Sequence, residues 1–175
     1  MRSDYTLTEN WLLRAEDICI RCGGHCCDDA HPPISDSCYQ RLIVAGVSAD
    51  CFEVQGYRRL KTHPDGTCIM MQDGKCTIHD IKPETCRAGP FTFDLRDDRV
   101  QIFLKFESIC PVVGLFKEVP SAYNLQYEQS VRNIAHLVSN LSREELVVIS
   151  HIDEPDTEQV AEIPMGDIGS YVNRH

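Results

Sequence analysis

The chain has 175 residues, a net charge of −10 at neutral pH and ten cysteines. This length suffices for one domain with a hydrophobic core, so the chain does not need cross-links merely because it is small. The acidic charge argues against general nucleic-acid binding, because lysine and arginine contact phosphates. No segment approaches the roughly 20 apolar residues of a membrane span, and the N-terminus lacks the apolar run of a signal peptide. We therefore expect a soluble, cytoplasmic protein, in which dense cysteines are metal ligands or redox groups more often than disulfides.

The first predicted helix spans residues 6–18, where apolar residues recur on one face. Residues 19–38 follow as a largely irregular loop rich in glycine and proline. The loop opens with CIRCGGHCC, and its Cys19-x2-Cys22 step allows two thiolates to converge on one metal from a tight turn. The alternative is a thioredoxin-like redox pair, but that motif belongs at the start of a helix, whereas this one follows a helix.

The adjacent cysteines Cys26 and Cys27 are the most informative part of this loop. Neighbouring side chains of an extended or turn backbone point to different sides. The two thiols therefore cannot easily serve one tetrahedral centre together. This arrangement predicts two metal centres, with Cys26 and Cys27 in different ones, or one centre and one free or structural thiol.

A second helix is predicted in SDSCYQRLIVAG, with Ser35 as its N-cap and Gly46 at its end. From residue 51 to residue 90 little apolar periodicity survives, and Gly, Pro and Cys are frequent. A loop of that length without regular structure is functional, disordered or cross-linked. Ligation to a structural metal contributes on the order of 10 kcal/mol or more. The sequence therefore predicts that metal supplies much of the stability of this segment.

The stretch DGTCIMMQDGKCTIHD predicts a short hairpin with its turn at residues 73–74. A regular two-residue turn pairs Met71 with Cys76 and Cys68 with His79. The pleat then directs Cys76 away from Cys68 unless a bulge intervenes. His79 is a candidate ligand on the Cys68 side, although a lone histidine is more often a structural polar residue.

Two further cysteines lie in motifs. In IKPETCRAGP, Pro83 suits the first turn of a short helix that ends at the Gly-Pro step. Cys86 lies in that turn, where an adjacent arginine and the helix N-terminus favour its thiolate. Cys110 precedes a proline, and such a step recurs at iron–sulfur ligands.

The C-terminal half has stronger secondary-structure signals. FTFDLRDDRVQIFLKF alternates around RDD and predicts a β-hairpin. Pro120 begins the longest predicted helix, residues 120–141, whose apolar residues have helical spacing. Ser142 and Glu145 form a capping-box pattern before another short element. The segment after Pro155 is acidic, and we expect it to be loose.

These elements predict a small, irregular α+β domain. Helices and a β-hairpin pack around a metal-stapled, cysteine-rich loop region in residues 1–152, and residues 153–175 form an acidic tail.

The cysteine pattern resembles the YkgJ-type CxxCxxCC family, whose members are described as zinc- or iron-chelating domains. The resemblance rests on the CIRCGGHCC run, on GKCTIH and on KPETCR, and it covers about residues 17–112. The family name has two residues before the cysteine pair, whereas this chain has three. The resemblance implies a metal-binding set of eight residues: Cys19, Cys22, Cys26, Cys27, Cys68, Cys76, Cys86 and Cys110. Cys38 and Cys51 fall outside the pattern, and we expect them to be buried small hydrophobic residues rather than ligands.

Two classes of function follow from this resemblance. In the first, the protein is a metal-binding protein that acts structurally, or in electron or metal transfer, with a protein partner. In the second, it is a small metal-dependent enzyme of redox or group-transfer type, since flagellin lysine N-methylases contain a similar cysteine module with an iron–sulfur cluster. The chain has no Gly-rich loop after a strand for S-adenosylmethionine or a dinucleotide. A closed shell of cysteines also favours the first class, because catalytic zinc keeps one position open.

The metal itself is left open between iron and zinc, because four thiolates suit both. The density of cysteines near basic residues and the Cys-Pro step favour a [4Fe–4S] cluster. Zinc is the alternative, or the occupant of a second site.

Overall fold

The computed structural model of the protein describes residues 4–28, 30–150 and 156–172. Its helices in these ranges are Asp4–Cys22 (α1), Asp36–Val44 (α2), Glu84–Ala88 (α3), Val112–Glu118 (α4), Pro120–Asn140 (α5), Arg143–Ile149 (α6) and Gly169–Val172 (α7). Its strands are Phe52–Val54 (β1), Arg58–Leu60 (β2), Met71–Gln72 (β3), Lys75–Cys76 (β4), Phe91–Arg96 (β5), Arg99–Lys105 (β6) and Thr157–Pro164 (β7). This is the expected small α+β domain with a cysteine-rich region. None of the helices in the described ranges is long and apolar enough to cross a membrane.

The largest sheet has three antiparallel strands in the order β5-β6-β7. The predicted hairpin is confirmed, since β5 pairs with β6 up to Arg96 opposite Arg99. Its turn residues, Asp97 and Asp98, have φ angles of 51° and 59°. Two residues of positive φ match the right-handed twist of the flanking strands in a two-residue hairpin.

The expectation of a loose C-terminal tail is wrong for residues 156–172. Residues of β7 pair with β6 from Thr157 opposite Lys105 to Pro164 opposite Arg99. Ile163 and Ile168 are buried in the main apolar cluster, at 5% and 6% exposure. Glu158 and Glu162 conceal this pattern in the sequence, because they occupy exposed positions of β7, which is an edge strand. Residues 151–155 and 173–175 lie outside the described part of the chain.

The main apolar cluster lies between the three-stranded sheet and α5, with α1 and α4 at its side. The predicted stripe of α5 is buried in it at Ala122, Val131, Ile134 and Val138. Leu125 is an exception at 43% exposure, because it points away from the stripe that runs from Val131 to Val138. The capping box of α6 is also confirmed, with Ser142 and Glu145 as its two partners.

A second apolar cluster lies under the cysteine-rich segments. Its buried members are Ile34, Cys38, Leu42, Phe52, Leu60, Cys68, Met70 and Ile78. As predicted, α2 begins after Ser35, whose Oγ accepts a hydrogen bond of 3.2 Å from the backbone N–H of Cys38. Residues 51–90 thus bury more apolar surface than their sequence indicated, because the buried positions follow neither a helical nor a strand period. Metal is therefore not the only source of stability available to this segment.

Candidate metal centre

Cys19 and Cys22 lie in the last turn of α1, which continues to Cys22 instead of ending at residue 18. The predicted irregular loop therefore starts later than expected. Arg21 stabilises the added turn, because its Nη2 lies 2.5 Å from the Asp17 carboxylate. Gly23 follows with φ 71°, the left-handed conformation in which many helices end. Residues three apart share a helix face, so both thiols leave α1 on the same side.

A tight turn carries the chain from α1 to the adjacent cysteines. Gly24 has φ 86°, and a Cβ atom at this position would lie 2.6 Å from Cε of Met71. Residues His25–Cys27 then form one turn of 3₁₀ helix, closed by a 2.7 Å hydrogen bond from the Cys27 N–H to the Gly24 carbonyl. Glycine is thus favoured both by the conformation and by the close approach of Met71.

Backbone hydrogen bonds hold Cys27 beside Cys68. The N–H of Cys68 donates to the Cys27 carbonyl at 3.0 Å, and Asp28 forms a β-bridge with Thr67. Burial raises the pKa of the Cys68 thiol, and the charges of Cys76 and Cys26 act in the same direction. Two segments more than 40 residues apart in sequence are therefore joined at the cysteines.

The predicted hairpin around residues 73–74 is confirmed, with Met71 opposite Cys76. The predicted pairing of Cys68 with His79 is wrong. The strands end early because Ile78 turns into the second apolar cluster, and exposed His79 begins a 3₁₀ turn, His79–Ile81. Cys68 therefore does not lie in the β3–β4 hairpin, and the alternation of side chains along paired strands does not turn it away from Cys76. Both cysteines pack in the second apolar cluster.

Cys86 occupies the middle of α3, which begins after Pro83 and ends before the Gly-Pro step as predicted. Burial raises the pKa of its thiol to about 12, and thiolate charge on Cys26 and Cys68 acts in the same direction. The favourable environment expected from the helix N-terminus is thus outweighed by burial.

Cys110 lies in the turn that precedes α4. Its N–H donates to the Phe106 carbonyl at 2.9 Å, and its own carbonyl accepts from Val113 at 3.0 Å. Burial raises the pKa of its thiol to about 11, and thiolate charges on residues of the CIRCGGHCC run add to this. Cys22 and the proline after Cys110 line the same shallow surface depression. The C-terminal end of α1 therefore lies beside the start of α4.

Electrostatic interactions between their thiols link all eight cysteines of the predicted set. Thiolate charge on Cys26 raises the pKa of five other thiols: Cys19, Cys27, Cys68, Cys86 and Cys110. Cys38 differs, because its thiol contacts Arg41 and Glu84 instead. Cys51 packs at the edge of the second cluster, close enough to Cys68 for a thiolate charge to raise its pKa.

Two lysines provide positive charge in this region. The pKa of Cys26 is lowered to about 6, first by a hydrogen bond from the Cys27 thiol and then by the charges of Lys82 and Lys105. The same hydrogen bond raises the pKa of Cys27, so the pair shares one proton that stays on Cys27. Lys82 lies in the KPETCR motif. Lys105 was missed, because it belongs to strand β6 and no motif marks it.

The chemistry of these donors fits a soft metal, since thiolates bind both zinc and iron–sulfur clusters. In the described part of the chain, no three His, Cys, Asp or Glu side chains already form a group that could hold a metal ion. Which of the eight are ligands stays a prediction.

Comparison with known proteins gives one relationship. Searches of curated proteins and of solved structures returned no match. A family model described as "putative zinc- or iron-chelating domain" matches residues 18–111, more than half of the chain and the segment that carries all eight cysteines. The protein therefore belongs to the CxxCxxCC family of zinc- or iron-chelating domains.

Proposed function

We propose that this protein binds iron as a [4Fe–4S] cluster, with zinc as the alternative or second metal, and acts with a partner protein in electron or metal transfer or as a structural element. The observation that carries this proposal is the mutual electrostatic interaction of the eight thiols, five of which are directly affected by the charge of Cys26. A reduced thiol cluster of this density brings several like charges together when it ionises. A bound cation relieves that repulsion.

The thiols are proposed to form two groups of four, with Cys26 and Cys27 in different groups. Contrary to the sequence prediction, the thiols of this pair are close enough to share a hydrogen bond, so the grouping is argued from their other neighbours. The pKa of Cys110 is raised by the charges of three thiols of the CIRCGGHCC run. The pKa of Cys27 is raised by the charges of Cys68 and Cys86, which belong to later segments. The first proposed group is Cys19, Cys22, Cys26 and Cys110. The second is Cys27, Cys68, Cys76 and Cys86.

Iron is proposed over zinc because the cysteines are dense, lie near basic residues and include a Cys-Pro step, which recurs at iron–sulfur ligands. Lys82 and Lys105 both lie close enough to Cys26 to lower its pKa. Net charge near the cluster and burial are among the factors that set the reduction potential of an iron–sulfur centre. Two lysines beside four thiolates would favour the reduced, more negative state.

A protein partner is favoured by the surface next to the thiols. Ile20 follows Cys19 in sequence and is 51% exposed, and Ile109 precedes Cys110 and is 36% exposed. Apolar side chains beside two candidate ligands would be buried by a partner that approaches the centre. The net charge of −10 favours a protein partner over nucleic acid.

Anaerobic purification, metal analysis and an absorption spectrum test the choice of metal. We expect iron, acid-labile sulfide and broad visible absorption. Colourless protein that contains zinc alone would contradict the iron–sulfur proposal and leave the zinc alternative.

Single substitutions test the grouping. Cys110→Ser and Cys76→Ser should each remove about half of the bound metal, because each affects one group. Complete loss from either variant would show a single centre. Cys38→Ala and Cys51→Ala are the matched controls and should leave the metal content unchanged, and the loss of a full equivalent from either would add it to the ligand set.

A further inference from the structure

Helix α3 depends on its neighbours for its position. It has only five residues, Glu84–Ala88, and an isolated helix of that length is not stable in water. Because α3 carries Cys86, the contacts that hold the helix also set the position of a candidate metal ligand.

The C-terminal end of α3 is held to α5 by three hydrogen bonds. The Gln126 side chain donates to the carbonyls of Arg87 at 3.1 Å and Gly89 at 2.8 Å. The Ser130 hydroxyl donates to the Ala88 carbonyl at 2.6 Å. These are carbonyls of the kind that the last turn of a helix leaves without an intrahelical partner. The end after Cys86 is therefore fixed.

The N-terminal end is held by a buried carboxylate. Glu84 is 4% exposed, and its Oε1 accepts a hydrogen bond from the hydroxyl of Ser35, the N-cap residue of α2. The same oxygen lies 3.3 Å from Nδ1 of His136 on α5. Its other oxygen is buried and has no hydrogen-bond partner among the described residues. Burying a carboxylate with so few partners is unfavourable. Glu84 lies in the first turn of α3, where the helix N-terminus favours negative charge, but an exposed carboxylate would gain the same interaction.

The backbone just before α3 is held from the same side. Nη2 of Arg41 on α2 lies 3.2 Å from the Cys38 sulfur and donates to the Lys82 carbonyl at 3.4 Å. The charge of Lys82 lowers the pKa of Cys26, and thiolate charge on Cys26 raises the pKa of Cys86. Contacts from α2 and α5 thus hold the backbone segment that carries both Lys82 and Cys86.

We propose that Glu84 is a positioning residue of the metal centre: by joining α3 to Ser35 and His136, its carboxylate holds Cys86 towards Cys26. This inference rests on the proposed function, because it gives Glu84 a role in forming that centre. It also makes a claim about the metal-free chain, which can be tested by itself.

The test compares Glu84→Ala and Glu84→Gln with Glu128→Ala, an exposed glutamate on α5. The first readout is the rate at which a maleimide labels each cysteine of the reduced, metal-free full chain, measured by peptide mass spectrometry. In Glu84→Ala, we expect labelling of Cys86 to accelerate at least threefold, and labelling of Cys110 to stay unchanged. Glu84→Gln keeps an oxygen that can accept from Ser35, so its rate should lie nearer to that of the unaltered protein. Glu128→Ala should change neither rate.

The second readout is the metal dissociation constant, measured by chelator competition on the loaded protein. Glu84→Ala should weaken binding about tenfold, with partial recovery in Glu84→Gln. Equal acceleration at Cys86 and Cys110, or none at either, would overturn the proposal. If Glu84→Ala does not fold, His136→Ala removes one of the two contacts of Glu84 at a partly exposed side chain, and the labelling rate of Cys86 in that variant decides. If no variant or parent binds metal, the proposed function fails, while the Cys86 rate still decides whether Glu84 positions α3.

Discussion

The turn between α1 and the adjacent cysteines gives a prediction with a matched control. Gly23→Ala and Gly24→Ala both introduce a side chain where φ is positive, at 71° and 86°. An alanine in that conformation costs about 1–2 kcal/mol. At Gly23 the added Cβ meets nothing within 4 Å, whereas at Gly24 it lies 2.6 Å from Cε of Met71. The methyl is the end of a flexible side chain, so displacing it should add about 1 kcal/mol.

The assay is metal affinity by competition with a chromophoric chelator under reducing conditions. The turn places Cys26 and Cys27, so its destabilisation should reduce affinity. Gly23→Ala should weaken binding roughly 5- to 30-fold, and Gly24→Ala should weaken it about fivefold more. In a Met71→Ala background the extra loss at Gly24 should disappear, which a double-mutant cycle measures directly. Equal losses in both glycine variants, or an extra loss that persists without Met71, would refute the steric argument.

Three further outcomes are expected. In metal-free protein at pH 7, iodoacetamide should label Cys26 before Cys19. The reason is that the pKa of Cys26 is lowered to about 6, whereas burial raises the pKa of Cys19. Faster labelling of Cys19 would contradict this expectation. Lys82→Met should slow the labelling of Cys26, because the lysine charge lowers its pKa, whereas Lys75→Met at the exposed hairpin should not. After chelation, the 3₁₀ turn at Cys26 should lose its protection from hydrogen exchange, because it has no buried residue. Strands β1 and β2 should keep their protection, because they contribute to the second apolar cluster. Loss of protection in both places would mean that metal alone orders this half of the protein.

Local signals in the sequence were sufficient where a short segment determines its own conformation. The Ser35 cap, the capping box at Ser142 and the long apolar helix were all predicted, since the atoms that stabilise them lie within a few residues. The turn at residues 73–74 was also predicted, because its two residues by themselves favour a hairpin turn. The family could also be recognised, because the order and spacing of the cysteines are properties of the chain itself.

The tertiary structure alone decided where those segments meet. Strand β7 forms because β6 offers it a free edge, which acidic residues around Ile163 do not reveal. Cys68 lies beside Cys27, and not opposite His79, because Ile78 gains more by entering an apolar cluster than by extending the hairpin. The sequence by itself thus determined the set of thiols and the short elements that carry them. The interaction of these thiols with one another, the approach of the lysine from β6 and the burial of Glu84 depend on contacts between distant segments, which no local pattern encodes.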